Sequence, residues 1–190
     1  METESVYLEA RRPTERDLAD FLTLGAGVRQ SNLATTSSFV DVNGHAKYIA
    51  AINAVSEQGA ALRNRQQDQN AVMLSDADSF NPQAVVNRSE LAYSFVQSLA
   101  LESFAKSFNG DITAIYGDQR VTLADQGDIP QELKGYVQLA LDLGILGASF
   151  DIQQGVYDLE PSITARFNSH ERVSRADYAV AATRFYNNYQ

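Results

Sequence analysis

Phe80-Asn81, four residues, then Val86-Asn87-Arg88-Ser89-Glu90-Leu91-Ala92 is answered 87 positions later by Phe167-Asn168, four residues, then Val173-Ser174-Arg175-Ala176-Asp177-Tyr178-Ala179. A third, weaker copy opens the chain, with Tyr7-Leu8, four residues, then Pro13-Thr14-Glu15-Arg16-Asp17-Leu18-Ala19. The distance from the aromatic to the polar tetrad is the same each time, so the chain reads as a repeat before it reads as anything else.

Each tetrad is a helix start. Thr14, Asn87 and Ser174 are side chains that cap a helix, and an acid follows three positions later at Asp17, Glu90 and Asp177. In that spacing the cap oxygen accepts from the third helical N–H, while the acid reaches back to the cap N–H and favours the positive end of the helix dipole. Apolar residues then recur at helical spacing, as in Leu91, Phe95, Val96 and Leu99. The pattern predicts helices near 14–28, 87–104 and 174–188. Two further helices are expected ahead of the long loops, His45 to Gln58 closed by Gly59 and Gln131 to Leu143 closed by Gly144, with Pro130 suited to a first turn. Residues 111–124 alternate around Gly117-Asp118 and read as a β-hairpin inserted between units. The stretch 63–70 is polar throughout and reads as a solvated loop.

Composition narrows the function. In 190 residues, 44% are apolar, which is enough for a core, and 15 basic against 24 acidic side chains give a net charge of −9. That charge repels phosphate backbones and anionic headgroups, so nucleic acid and membrane surfaces are not expected partners. The absence of cysteine excludes disulfides, thiolate metal sites and thiol nucleophiles and suits a bacterial exoprotein. No apolar run approaches a membrane span, and the first residues lack the pattern of a signal peptide. No nucleophile and base pair can be assembled, so the chain is not expected to be an enzyme and no cofactor is expected.

The stretch Phe39-Val40-Asp41-Val42 leads into a helix ending in glycine, a loop, an aromatic-Asn pair and the tetrad. That succession resembles the S-layer homology domain, whose hallmark is a Thr-Arg-Ala-Glu-like start to the second helix. Asn87-Arg88-Ser89-Glu90 and Ser174-Arg175-Ala176-Asp177 match it, and Thr14-Glu15-Arg16-Asp17 has Glu15 in place of the arginine. The resemblance implies a mainly α fold, a pseudo-threefold assembly of helix-loop-helix repeats with a short β-hairpin insertion. The 190 residues would form one module: the tail of a first repeat in 1–30, a second in 39–104, the insertion in 105–128 and a third in 129–190. An apolar strip around Leu18, Leu22 and Leu24 is expected where the first repeat lacks its leading helix.

The resemblance also implies a function, attachment to an anionic, often pyruvylated cell-wall polysaccharide or another envelope component, on a secreted protein at the cell surface. The overall run of sequence, including Gly25-Ala26-Gly27-Val28-Arg29-Gln30, further resembles the C-terminal region of some secreted subtilisin-like serine proteases. The alternative is therefore a protein-interaction or stabilising domain that serves an upstream protease domain.

Arg88 and Arg175 are the leading candidates for ligand binding, grouped with their caps Asn87 and Ser174 and the acids Glu90 and Asp177. A cation in the first helical turn faces the positive dipole end, at a cost of roughly 0.3–1 kcal/mol, so something else must hold it. An anion at the helix N-terminus, an ion pair with an acid of a neighbouring repeat and simple exposure to solvent are the open readings. Arg88 and Arg175 are expected in equivalent grooves, with Glu15 marking a third that cannot take an anion in the same way. The family's groove tryptophan is missing; Lys47, Lys134 and Arg120 are candidate extra charges, and Tyr48 and Tyr136 candidate stacking surfaces. His45 and His170 form no zinc or triad pattern, and Asp76-Ala77-Asp78 lacks the rest of a calcium loop.

Overall fold

The computed structural model describes residues 11–28, 36–42, 48–62, 69–156 and 159–189. Six α-helices and four strands follow one another among them. Helix α1 (Glu15–Asp20) widens into one π-helical turn (Phe21–Gly25), and α2 (Ile49–Ser56), α3 (Arg88–Ser98) and α4 (Glu102–Ser107) precede the hairpin of β1 (Thr113–Tyr116) and β2 (Gln119–Thr122). Then come α5 (Lys134–Asp142), a second hairpin of β3 (Ser149–Gln153) and β4 (Ser162–Arg166), and α6 (Arg175–Tyr189).

All three capped starts form as the spacing requires. Thr14 accepts from the Asp17 N–H at 3.4 Å and Asn87 from the Glu90 N–H at 2.9 Å, and Ser174 accepts from the Asp177 N–H at 3.1 Å. At the first two the acid also accepts from the cap N–H, at 3.0 Å in each case. At the third, the Ser174 hydroxyl donates to the Asp177 carboxylate at 2.6 Å. Gly144 closes α5 with φ +66°, and the Ile145 N–H reaches back to Ala140 O at 3.0 Å, the left-handed closure that glycine permits.

The aromatic-Asn pairs are held by a carboxylate from far upstream. Asp41 accepts from the N–H groups of Phe80 and Asn81 at 3.0 and 2.6 Å. Asp125, delivered by the return strand of the first hairpin, does the same to Phe167 and Asn168 at 3.0 and 2.6 Å. Asn81 and Asn168 are both left-handed, with φ 58° and 56°, a conformation asparagine tolerates better than most residues. Phe80 and Phe167 are thereby pinned in the core, at 2% and 0% exposure.

Successive units join edge to edge. Thr14 bridges to Val85 and Asn87 to Arg172, both antiparallel, so the start of each capped helix lies on the segment before the next one. The step occurs twice. Between the third copy and the first, the described residues show side-chain bonds instead, from the Tyr178 hydroxyl to Asp17 O at 3.3 Å and from Arg12 to Arg172 O.

The mainly α, pseudo-threefold fold expected from the resemblance is corrected here: the domain mixes α and β. Much of the long loop expected between Gly144 and Ser174 is the hairpin β3–β4, paired over five positions from Ser149↔Arg166 to Gln153↔Ser162. It lies against the first hairpin, where Leu123 pairs with Ala165 in parallel and the Tyr116 and Phe150 rings meet at 5.0 Å. The expected helix over 87–104 stops at Ser98, because Ala100 turns left-handed (φ 60°) and starts α4 in a new direction. Nor do the three copies contribute alike to the centre. Phe21, Phe95 and Phe185 form one cluster, with Phe95 and Phe185 stacked at 4.7 Å. Counted from the cap, the position matching Phe95 is Ala182, and the aromatic arrives one turn later.

The hairpin read at 111–124 forms, with Gly117 at φ 58° in the first central position of its two-residue turn. Leu18 and Leu22 are fully buried and Leu24 is open, so the expected apolar strip reduces to one side chain. Tyr7, His45 and Lys47 lie outside the described residues, as does 63–68 of the polar loop.

Removing the second clamp strands two N–H groups, one of them buried. Asp125→Ala is expected to lower unfolding stability by about 2–4 kcal/mol, while Asp151→Ala on the exposed face of β3 changes it by less than about 0.5 kcal/mol; urea titration measures both.

Candidate functional site

Arg88 sits in the first turn of α3, and its guanidinium reaches across to the third unit. Its Nε donates to Phe167 O at 2.7 Å and Nη2 to Gly147 O at 2.5 Å, and its Cζ lies 4.8 Å from the centre of the Phe167 ring. Burial pulls its pKa below the ordinary arginine value, opposed by the carboxylates of Glu171, Asp177 and Asp125. A cleft of about 350 Å³ opens beside it, lined also by Glu171, Asp177 and Arg184. This guanidinium is a cross-link: it satisfies two main-chain carbonyls and covers the ring that the Asp125 clamp has placed. That resolves the dipole argument for Arg88, since main-chain acceptors hold the cation.

Arg175 has different surroundings. It is exposed at the first turn of α6 and lines a cleft of about 430 Å³ with Arg11, Arg12, Pro13, Asp17 and Tyr178. Arg11 lies 3.5 Å from Asp17, with 63% of its side chain open. Arg12 donates to Arg172 O. The Tyr178 hydroxyl donates to Asp17 O, and its pKa is pushed up by burial first and then by Asp17, Asp20 and Glu15. Three guanidinium groups thus converge on one open cleft of a chain whose net charge is −9. Asn87 and Glu90 are engaged in a capping box, and Ser174 and Asp177 in the cap of α6, so the cationic lining of the cleft comes from the arginines.

Glu15, in the matching position of the first copy, is buried at 9% exposure and does not line an open groove. Its N–H bonds to Ala84 O at 2.9 Å. Desolvation, then the charge of Glu90 and a hydrogen bond to it, push the Glu15 pKa up to about 8. The first copy therefore holds a buried carboxyl group with a raised pKa where the other two hold a cation.

Of the other candidates, Arg120 pairs with Asp142 at 3.0 Å, and Lys134 lines a cleft with Phe108, Asp111 and Gln131. Tyr48 lies under the Arg16 guanidinium at 4.6 Å, and Tyr136 is buried against Tyr93 at 4.7 Å, so neither ring is an open stacking surface. His170 is exposed, and among the described residues no group of His, Cys, Asp and Glu is placed to hold a metal ion. Asp76 receives a long contact from the Asn81 amide at 3.5 Å. No described helix is long and apolar enough to cross a membrane.

The sequence reading missed Arg11 and Arg12. The signal was present, an Arg-Arg pair directly ahead of the Pro13-Thr14 cap, but only the fold brings it beside Arg175. No family model matches the chain, and no curated protein is recognisably similar to it.

Two measurements check these assignments. Arg88→Ala leaves the Phe167 and Gly147 carbonyls without a donor and is expected to cost about 2–4 kcal/mol of stability in urea titration. Glu15 holds its proton more tightly folded than unfolded, so its contribution is complete below the ordinary value of 4.5 and is lost as pH rises through about 8. Between those limits stability should fall by up to about 1.4 kcal/mol per pH unit from this group. In Glu15→Gln, which stays neutral, that slope should disappear, as urea titrations at stepped pH would show.

Proposed function

We propose that the chain is a non-catalytic attachment module that holds an acidic envelope glycan in the cleft of Arg11, Arg12 and Arg175, as part of a secreted protein at the cell surface. The observation that carries this reading is the convergence of three guanidinium groups at the start of the 15-residue α6 in an acidic chain. Forked donors suit carboxylate, and the dipole at the first turn of α6 favours the same charge. The capped repeat and its resemblance to S-layer homology domains supply the class of ligand.

A second reading, a protein-interaction or stabilising domain beside a protease, draws on Arg88. Its guanidinium is engaged with main-chain carbonyls, which is how a retained repeat would look after its groove had become an internal contact.

The test is calorimetry with a purified acidic wall polysaccharide at low salt. Binding by the wild type, weakened roughly 5- to 100-fold in Arg175→Ala and abolished in Arg175→Glu with no loss of melting temperature, is expected from a lost charged hydrogen bond of about 1–3 kcal/mol. No binding by the wild type, or equal binding by Arg175→Glu, overturns the glycan reading and leaves the interaction domain.

A further inference from the structure

The connection between α4 and β1 is anchored at both ends and slack in the middle. On one side the Phe108 N–H bonds to Ala105 O at 3.2 Å. On the other, Gln126 holds the chain twice, accepting from the Ile112 N–H at 3.0 Å and donating to Asp111 at 3.1 Å. Between them lie Asn109 and Gly110, both exposed, in neither helix nor strand. Among the described residues, the Asn109 amide and the Gly110 N–H have no hydrogen-bond partner. A β-carbon placed on Gly110 would meet only the Phe108 ring, at 3.7 Å, so there is room for one there.

We propose that Asn109 is a modification site, where the folded chain deamidates spontaneously to isoaspartate and aspartate. The Gly110 nitrogen attacks the Asn109 side-chain carbonyl carbon, forming a C–N bond. The bond to the amide nitrogen breaks, and ammonia leaves with the proton that Gly110 gave up. Water then opens the five-membered imide at either carbonyl, so one water is consumed, one ammonia is released and nothing is oxidised or reduced. The attack needs a backbone that no helix or strand holds, an N–H that donates to nothing and a following residue without a side chain, and 109–110 supplies all three. Other described asparagines lack them. Asn81 precedes Pro82, which has no N–H; Asn87 is held in its cap; and Asn168 is fixed through its N–H by Asp125 and through its amide by Ser149. The other Asn-Gly pair, 43–44, lies outside the described residues.

The product places a new carboxylate in the cleft beside Asp111 and Lys134, on a chain already at −9, and the isoaspartyl form lengthens the main chain by one methylene between the two anchors. Peptide mapping of the full chain aged in mildly alkaline buffer tests the proposal, since it reads exchange of NH2 for OH residue by residue. Residue 109 should convert ahead of every other described asparagine, at a rate within about tenfold of that in the urea-unfolded chain, because a connection this loose opens at little cost. Gly110→Ala, which the open space accommodates, should keep the melting temperature and slow the conversion several-fold. A native rate suppressed more than about tenfold against the unfolded chain, another described asparagine converting first, or an undiminished rate in Gly110→Ala overturns it.

Discussion

A carboxylate gripping two consecutive backbone N–H groups is the contact on which the rest of this structure depends. Asp41 and Asp125 act across 39 and 42 residues respectively, and each fixes an aromatic-Asn pair whose asparagine is left-handed. The clamp replaces what a strand ladder would otherwise supply to those N–H groups, and it does so with a side-chain carboxyl group brought from far away in the sequence. Three consequences follow in the third unit. Phe167 is driven into the core, its carbonyl is presented to Arg88, and the next segment is laid against Asn87 so that α6 can start. The first hairpin exists in this account to carry Asp125 back to its partner, which explains how an insertion can be integral to the unit that follows it.

What could be read from the sequence was local chemistry with fixed spacing. The capping boxes at Thr14 and Asn87, the cap at Ser174, the Gly144 closure and the Gly117-Asp118 hairpin, whose outermost pair is Thr113↔Thr122, all depend on residues close to one another in sequence, and all formed. The symmetry did not follow, because it depended on contacts between units. The segment 149–166 carries weak alternation and polar flanks, so its pairing is decided by the neighbouring hairpin and by Leu123 against Ala165. The left-handed Ala100 has no glycine or asparagine to announce it, and it stands because Leu99 and Ala100 are buried where α3 meets α4. Phe185, one turn out of register with Phe95, shows that a shared motif does not impose a shared core.

The site was legible to the same degree. The expectation that something other than the dipole holds a first-turn arginine is met at Arg88, whose guanidinium donates to carbonyls across a unit boundary, whereas Arg175 is exposed and lines an open cleft. Nothing in the tetrads distinguishes them. The difference lies in what each helix start meets: α3 starts against the segment 169–173 ahead of α6, whereas the start of α6 lines a cleft with the segment Arg11-Arg12-Pro13.

The same topology accounts for Glu15. An arginine there would bring a third long cation to a unit boundary, while a protonated glutamic acid is shorter and both donates and accepts. Burying a neutral acid beside Glu90 avoids the cost of an unpaired charge, at the expense of tying that boundary to pH. The two boundaries are therefore chemically unlike: a guanidinium on carbonyls, insensitive to pH over any physiological range, and a carboxylic acid on a carboxylate. Rising pH should loosen the first boundary and leave the second intact. Because Tyr178 feels the charges of Asp17, Asp20 and Glu15, and Asp17 and Tyr178 line the arginine cleft, ionising Glu15 adds negative charge on the side where an anion would dock. Any anion held by Arg11, Arg12 and Arg175 then binds best where Glu15 is still protonated, which couples the state of the first boundary to occupancy of the cleft.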